Sequence, residues 1–393
     1  MSSDPVVIVG MARTPMGAFQ GAFSSMSAPE LGAAAIKAAL EESGVAPEKV
    51  EQAYMGCVLP AGQGQAPARQ AAIKAGLGEH CQSMTINKVC GSGMQSAMLA
   101  HDSIKAGSID IAVAGGMESM TNAPYMLPKA RGGMRMGDQK VVDSMMFDGL
   151  TDAYDNCAMG TFADMIAAEY QFTREQQDAY AIESVRRAKA AQSEGKFERE
   201  LTPVTVKGRK GDTVVSEDEG PGNARPEKIP SLRAVFSKNG TVTAANASSI
   251  NDGAAAIVIM RKSDAEKGGH NILAEIVSHA SHAHAPAYFT TAPVNAMKKA
   301  LEKANWSTQD VELWEINEAF AVVPLIAMQE LGLDHDLVNV NGGGCVLGHP
   351  IGASGTRIIT TLIAEMEKRD AKKGVASLCI GGGEAVAMCF SRT

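Results

Sequence analysis

The chain has 393 residues, more than one compact core usually holds, so two or three domains are expected. Hydrophobic residues make up 45% and charged residues 20%, a balance that argues against disorder. A net charge of −8 argues against a nucleic-acid or anionic-membrane surface, and no run approaches 18 apolar residues, so no membrane-spanning helix is expected.

Met1-Ser2-Ser3-Asp4-Pro5 lacks the basic and apolar regions of a secretory signal, and Ser391-Arg392-Thr393 is not a peroxisomal address. A cytoplasmic location is therefore expected. Val6–Val9 reads as a strand, and Ser27 with Glu30 forms a capping box that opens a helix carrying Leu31, Ile36 and Leu40. Strands are expected at Tyr54–Leu59, Met84–Val89 and Ile109–Ala114. Strands spaced by helical segments imply crossovers and a mostly parallel sheet. From Ser119 to Ser249 the pattern breaks up around Pro124, Pro128, Gly132, Gly133 and Gly137. Helices are expected there around Phe162–Tyr170 and from Arg174 to Ser193, the second N-capped by Thr173 with Gln176 in the capping-box position. Residues 202–240, rich in Gly, Pro and charge, read as long loops. Alternation returns with strands expected at Ile272–Ser278, Glu312–Ile316, Val338–Val340 and Val375–Ile380. CGSG at 90–93 and IDIAVAGG at 109–116 are echoed by GASG at 352–355 and VASLCIGG at 375–382, which suggests two copies of one unit about a pseudo-twofold axis.

Seven scattered cysteines without a C-x-x-C pair argue against a disulfide framework or a structural zinc site. Cys90 follows an apolar run and opens a helix, where backbone N–H groups favour a thiolate; a small buried core thiol is the alternative. Cys379 ends a strand before three glycines, whose N–H groups can bind an oxyanion. His349 lies between two glycine-rich turns, and Asn317 stands where a strand gives way to a helix, equally placed to act as an N-cap. His279, His282 and His284 form an H-x-x-H-x-H cluster. In an extended segment His279 faces away from the other two, and no nearby carboxylate or cysteine completes a set, so no metal is expected. Nucleotide phosphate-binding motifs are absent.

Together VVIVGMARTPMGAF at 6–19, NKVCGSGMQSA at 87–97, GGMESM at 115–120, NASSINDGAAA at 246–256, NEAFA at 317–321, GHPIGASG at 348–355 and CIGGG at 379–383 resemble the thiolase family over essentially the whole chain. The resemblance implies an α/β fold of duplicated βαβαβ domains in five αβαβα layers with an inserted loop domain. Its boundaries are expected at 1–118 plus 251–270, 119–250 and 271–393. The implied reaction joins two acetyl-CoA into acetoacetyl-CoA and CoA, and runs in reverse as thiolysis. A broad-range degradative 3-ketoacyl-CoA thiolase is the alternative.

By the same resemblance, Cys90 attacks the thioester, His349 takes its proton and Cys379 acts as acid/base on the second substrate. His349 and a water held by Asn317 form one oxyanion hole, and the N–H groups of Cys90 and Gly381 form the other. Ser248, Arg225 and Arg233 are implied CoA contacts, with Met159, Phe236 and Phe320 lining the apolar tunnel. No cofactor is implied, since the CoA thioesters are substrates. A homotetramer or homodimer is, with residues 120–140 at the tetramerisation loop. Ala158 stands where many acetyl-specific members carry histidine, and Cys345 where alanine is usual.

Overall fold

The structure, a computed structural model, describes residues 4–392. Residues 1–3 and 393, on which the absence of targeting signals was partly read, lie outside the described residues. The first part of the chain forms β1 (Val6–Arg13), β2 (Gly17–Ala18), α1 (Ala28–Ser43), β3 (Gln52–Gly56), α2 (Pro67–Lys74), β4 (Gln82–Ile86), α3 (Ser92–Lys105) and β5 (Ile111–Ser119). The middle carries β6 (Tyr125–Met126), β7 (Val142–Asp143), α4 (Met159–Glu169), α5 (Arg174–Ser193), β8 (Val204–Val206), β9 (Thr213–Val215) and α6 (Glu219–Asn223). There follow β10 (Asn251–Arg261), α7 (Lys262–Gly268), β11 (Ala274–Ala283), α8 (Ala292–Ala304), β12 (Leu313–Ile316), α9 (Val322–Leu331), α10 (Gly344–Leu347), α11 (Ser354–Arg369), β13 (Lys373–Ile380) and β14 (Glu384–Ser391). The capping boxes expected at Ser27/Glu30 and Thr173/Gln176 both form, which sets the starts of α1 and α5.

Nine strands run in the order β12-β13-β14-β11-β1-β10-β5-β3-β4, with β2 added against β10. The sheet is mixed rather than mostly parallel. Only β3–β4, β3–β5 and β12–β13 pair in parallel, while β10 and β14 run antiparallel to their neighbours. Neither of those two strands is legible from alternation, because both are buried along almost their whole length. The two halves are also hydrogen-bonded to each other rather than separate: β1 pairs β10 along its length and β11 over Val6–Ile8 only. The strand expected at Val338–Val340 is reduced to one bridge from Val338 to Trp314. Asn339 adopts a left-handed φ of 48°. Its side-chain amide takes the ladder position instead, accepting from Ile316 N and donating to Ile316 O, both at 2.8 Å.

Helices α1 and α2 cover one face of the N-terminal half, and α8 and α9 cover one face of the C-terminal half. Between the halves lie α3 and α11, in a core shared by Ile8, Met94, Ile358, Leu378 and Phe390. Every residue of α11 from Ser354 to Met366 is buried. The echoed segments meet here at their glycines. A Cβ on Gly355 would lie 2.3 Å from Met94 N, and one on Gly93 would lie 2.9 Å from Thr356 N. Only glycine at both helix starts allows this reciprocal approach.

Candidate active site

Three glycine-rich turns converge where the two central helices begin. Cys90 precedes α3, held by a tight local network: Asn87 Oδ1 accepts from Val89 N at 3.0 Å, and Ser92 Oγ accepts from Lys88 N at 2.8 Å. Val89 itself has φ 46°, a conformation that costs a β-branched residue of order 1–3 kcal/mol. Such strain directly before Cys90 turns its side chain out of the strand direction into the cavity. Cys379 is the last residue but one of β13, and the segment after it packs on the Cys90 turn, with Gly91 leaving room for Ile380 and Gly381 lying against Val89 and Met159. An ion pair between Lys88 and Glu384 ties the two segments together.

Burial pushes the Cys90 thiol up to about 11, although the N–H groups of Gly381 and of Cys90 itself favour its thiolate. The sequence-based expectation that the helix start favours a thiolate is therefore outweighed. Terminal partial charges contribute about 0.3–1 kcal/mol in typical settings, whereas full desolvation shifts a group by up to about 3–5 pH units. Cys379 is buried and pushed further up, first by burial and then by negative charge on Cys90. The two sulfurs are thus close enough to influence each other's ionisation.

His349 is buried. Its Nδ1 lies 2.6 Å from Ser354 Oγ, which donates to Pro350 O at 2.9 Å. A hydroxyl has one proton, so Ser354 accepts from Nδ1–H, and the lone pair of the neutral ring resides on Nε2. That Nε2 is buried without a hydrogen-bond partner among the described residues. Burial, then the charge of Arg357, lowers His349 to about 3, so it stays neutral through the physiological range. Asn317 Nδ2 lies 3.4 Å from His349 Nδ1, and its Oδ1 is a second buried atom without a partner. Asn317 is not an N-cap, since α9 begins only at Val322 after Ala321.

Glu118 holds these turns in register. It accepts from the N–H groups of Val58, Leu59 and Gly352 at 2.9, 3.1 and 2.8 Å. Glu118 lies within GGMESM, where nothing local marks a role for it, because the three donors come from segments up to 234 residues away. Ser354 was likewise missed, though it lies in the echoed GASG.

Cys90, His349 and Gly381 line one cavity of ≈ 220 Å³ with Met159, Phe236 and Phe320. Phe236 and Phe289 both pack edge-on against Phe320, at centroid distances of 6.2 and 6.1 Å; Phe289 was not anticipated. A second, more open cleft shares Phe236 and Ser248 and reaches Arg225 and Lys228. Arg225 is exposed, and its guanidinium donates to Gly222 O and Ala224 O. Arg233 is exposed and lines neither cavity. The Cys345 thiol is raised by burial and by Glu318, and so is held protonated.

A thiol, a neutral imidazole with an open Nε2 and a glycine N–H at an apolar cavity, with Cys379 buried outside its lining, are an arrangement for acyl transfer through a thioester. Residues 6–263 match the thiolase N-terminal domain and residues 270–392 the thiolase C-terminal domain. The chain belongs to the thiolase family. It is 52% identical over 389 residues to an acetyl-CoA acetyltransferase of Cupriavidus necator, covering 98% of this chain and 99% of that relative. It is 49% identical to proteins of the same name from Rhizobium meliloti over 393 residues (all of both chains) and from Pseudomonas aeruginosa over 389 (98% and 99%).

Proposed function

We propose that the chain is an acetyl-CoA acetyltransferase, joining two acetyl-CoA molecules into acetoacetyl-CoA and CoA and catalysing the reverse thiolysis. The observation that carries this reading is the convergence of Cys90, His349 with its open Nε2, and Gly381 on one apolar cavity, with Cys379 buried within electrostatic reach of Cys90.

Cys90 Sγ attacks the thioester carbon while its proton passes to His349 Nε2. The C–S bond to CoA then breaks, and the proton leaves on the CoA sulfur. Because the resting pair is thiol and neutral imidazole, proton transfer accompanies attack rather than preceding it. The acyl-enzyme gives a ping-pong reaction. In the second half, Cys379, which burial holds as a thiol, passes its proton to His349 Nε2 as it removes a proton from the methyl carbon of a second acetyl-CoA. The carbanion attacks the acetyl carbon, the bond to Cys90 breaks, and His349 returns its proton to the released Cys90 sulfur, so both thiols end protonated. Cys90 N–H and Gly381 N–H stabilise one oxyanion. His349, while its Nε2 carries the transferred proton, donates to the other together with a water on the orphan Oδ1 of Asn317.

Met159, Phe236 and Phe320 hold the pantetheine arm beside Ser248, and Arg225 sits at the cleft mouth for the nucleotide end; the position of Arg233 gives that residue no support. The division into 1–118 with 251–270, an inserted 119–250 and 271–393 is supported by β10 rejoining the sheet at Asn251. Five layers are supported by α3 and α11 lying between the halves. A homotetramer or homodimer is supported by the β6–β7 hairpin, whose span exposes Tyr125, Leu127, Met136 and Val141.

Incubation with radiolabelled acetyl-CoA tests the reading: label is expected on Cys90, together with acetoacetyl-CoA. Thiolysis of four-carbon 3-ketoacyl-CoA is expected to outpace that of longer chains. A preference for long chains favours the broad-range alternative, and label on another residue overturns the nucleophile.

A further inference from the structure

The cluster His279, His282 and His284 read as metal-free in sequence divides as expected. His282 turns to Asn295 and Lys299, and His279 turns the other way. What sequence could not supply is the partner of His279. Strand β11 brings it against the C-terminal half of α3, where His101 and Asp102 lie 178 and 177 residues away in the chain. His279 Nε2 is 2.8 Å from Asp102 Oδ1 and 3.2 Å from His101 Nδ1. His101 Nδ1 is 3.0 Å from that same oxygen.

These three atoms form a nearly equilateral triangle, and protons cannot satisfy all its edges. If both nitrogens carry a proton into the triangle, the N–N edge sets donor against donor. If only one does, one N–O edge sets lone pair against lone pair. A single cation satisfies all three at once. A tetrahedral ion with bonds of ~2.0 Å wants its donors about 3.3 Å apart, the bond length times 1.63, so the triangle opens by only a few tenths of an ångström. We propose that His101, Asp102 and His279 form a binding site for a divalent transition-metal ion of the zinc class, clamping α3 to β11.

The two imidazoles are largely buried, with side-chain exposures of 11% and 14%, while Asp102 at 59% faces solvent and leaves an entry path and a fourth position for water. Two imidazoles and a carboxylate suit zinc and its neighbours better than calcium or magnesium. His101 lies eleven residues beyond Cys90, roughly 16 Å along a helix. The ion therefore acts structurally, joining a helix of the first half to a strand of the second.

The test uses zinc ions and the full chain, in a Cys90→Ala/Cys379→Ala background that removes the competing thiols of the cavity. One zinc per chain is expected, with a raised thermal midpoint and an X-ray absorption spectrum of nitrogen and oxygen ligands without sulfur. His279→Gln and Asp102→Asn are each expected to weaken binding at least tenfold. Asp102 is at the exposed rim, so its variant keeps the fold. No uptake at about 100 µM free zinc, far above the affinity of structural zinc sites, overturns the proposal. So does a sulfur-ligated spectrum, or binding unchanged in both variants.

Discussion

Ser354 Oγ sits 2.6 Å from His349 Nδ1 and passes its own proton to Pro350 O, so one hydroxyl sets which imidazole nitrogen faces the cavity. Removing it frees the ring to adopt the other tautomer and leaves Nδ1 short of its acceptor. Ser354→Ala is expected to lower kcat by roughly 10- to 100-fold, the ~1–3 kcal/mol of a buried hydrogen-bonded group. Protein yield should be little changed, because the substitution removes a single oxygen. A variant with full acetylation and condensation rates rules out this orienting role.

The two thiols are expected to separate by half-reaction. Cys379→Ala should still become acetylated at Cys90 but form no acetoacetyl-CoA, whereas Cys90→Ala should do neither. Intact-mass measurement after mixing with acetyl-CoA, beside product detection, distinguishes the two. Normal condensation by the Cys379 variant would end its assignment as acid/base.

Cys90 should alkylate slowly at neutral pH. With the thiol held up at about 11, its thiolate fraction rises tenfold per pH unit from 7 to 10, and the iodoacetamide rate should follow. His349, lowered to about 3, should add no inflection near pH 6.5. A rate that plateaus by pH 8 would mean a preformed thiolate–imidazolium pair instead.

Gly355 cannot carry a side chain, because its Cβ would lie 2.3 Å from Met94 N. Gly355→Ala must separate α3 from α11 or distort one of them, at a cost of about 2–3 kcal/mol or more. A lowered unfolding midpoint is expected. Gly222→Ala, where the added carbon meets nothing within 4 Å, serves as the control. Equal stability of the two variants would show that the helix starts can yield.

Much of the frame was legible because its signals are local. Capping boxes depend on residues three apart, and both formed as read. The echo of CGSG in GASG pointed to a twofold relation, and the reciprocal approach of Gly93 and Gly355 is its physical form. Strands β10 and β14 were missed because burial on both faces erases alternation, and Val338–Val340 was misread because a side-chain amide replaced the backbone ladder.

Sequence alone determined which residue types are available and how each turn is built: a cysteine at a helix start, a histidine and a second cysteine among glycines, in an order that marks the family. Tertiary structure decided how they behave. Whether Cys90 rests as thiol or thiolate depends on desolvation and on Gly381 from the other half of the chain, and His279 meets His101 and Asp102 across 178 and 177 residues; even the open nitrogen of His349, set by nearby Ser354, depends on how the turn folds. Ionisation and proton position respond to everything within a few ångströms, and only the folded chain settles what that is.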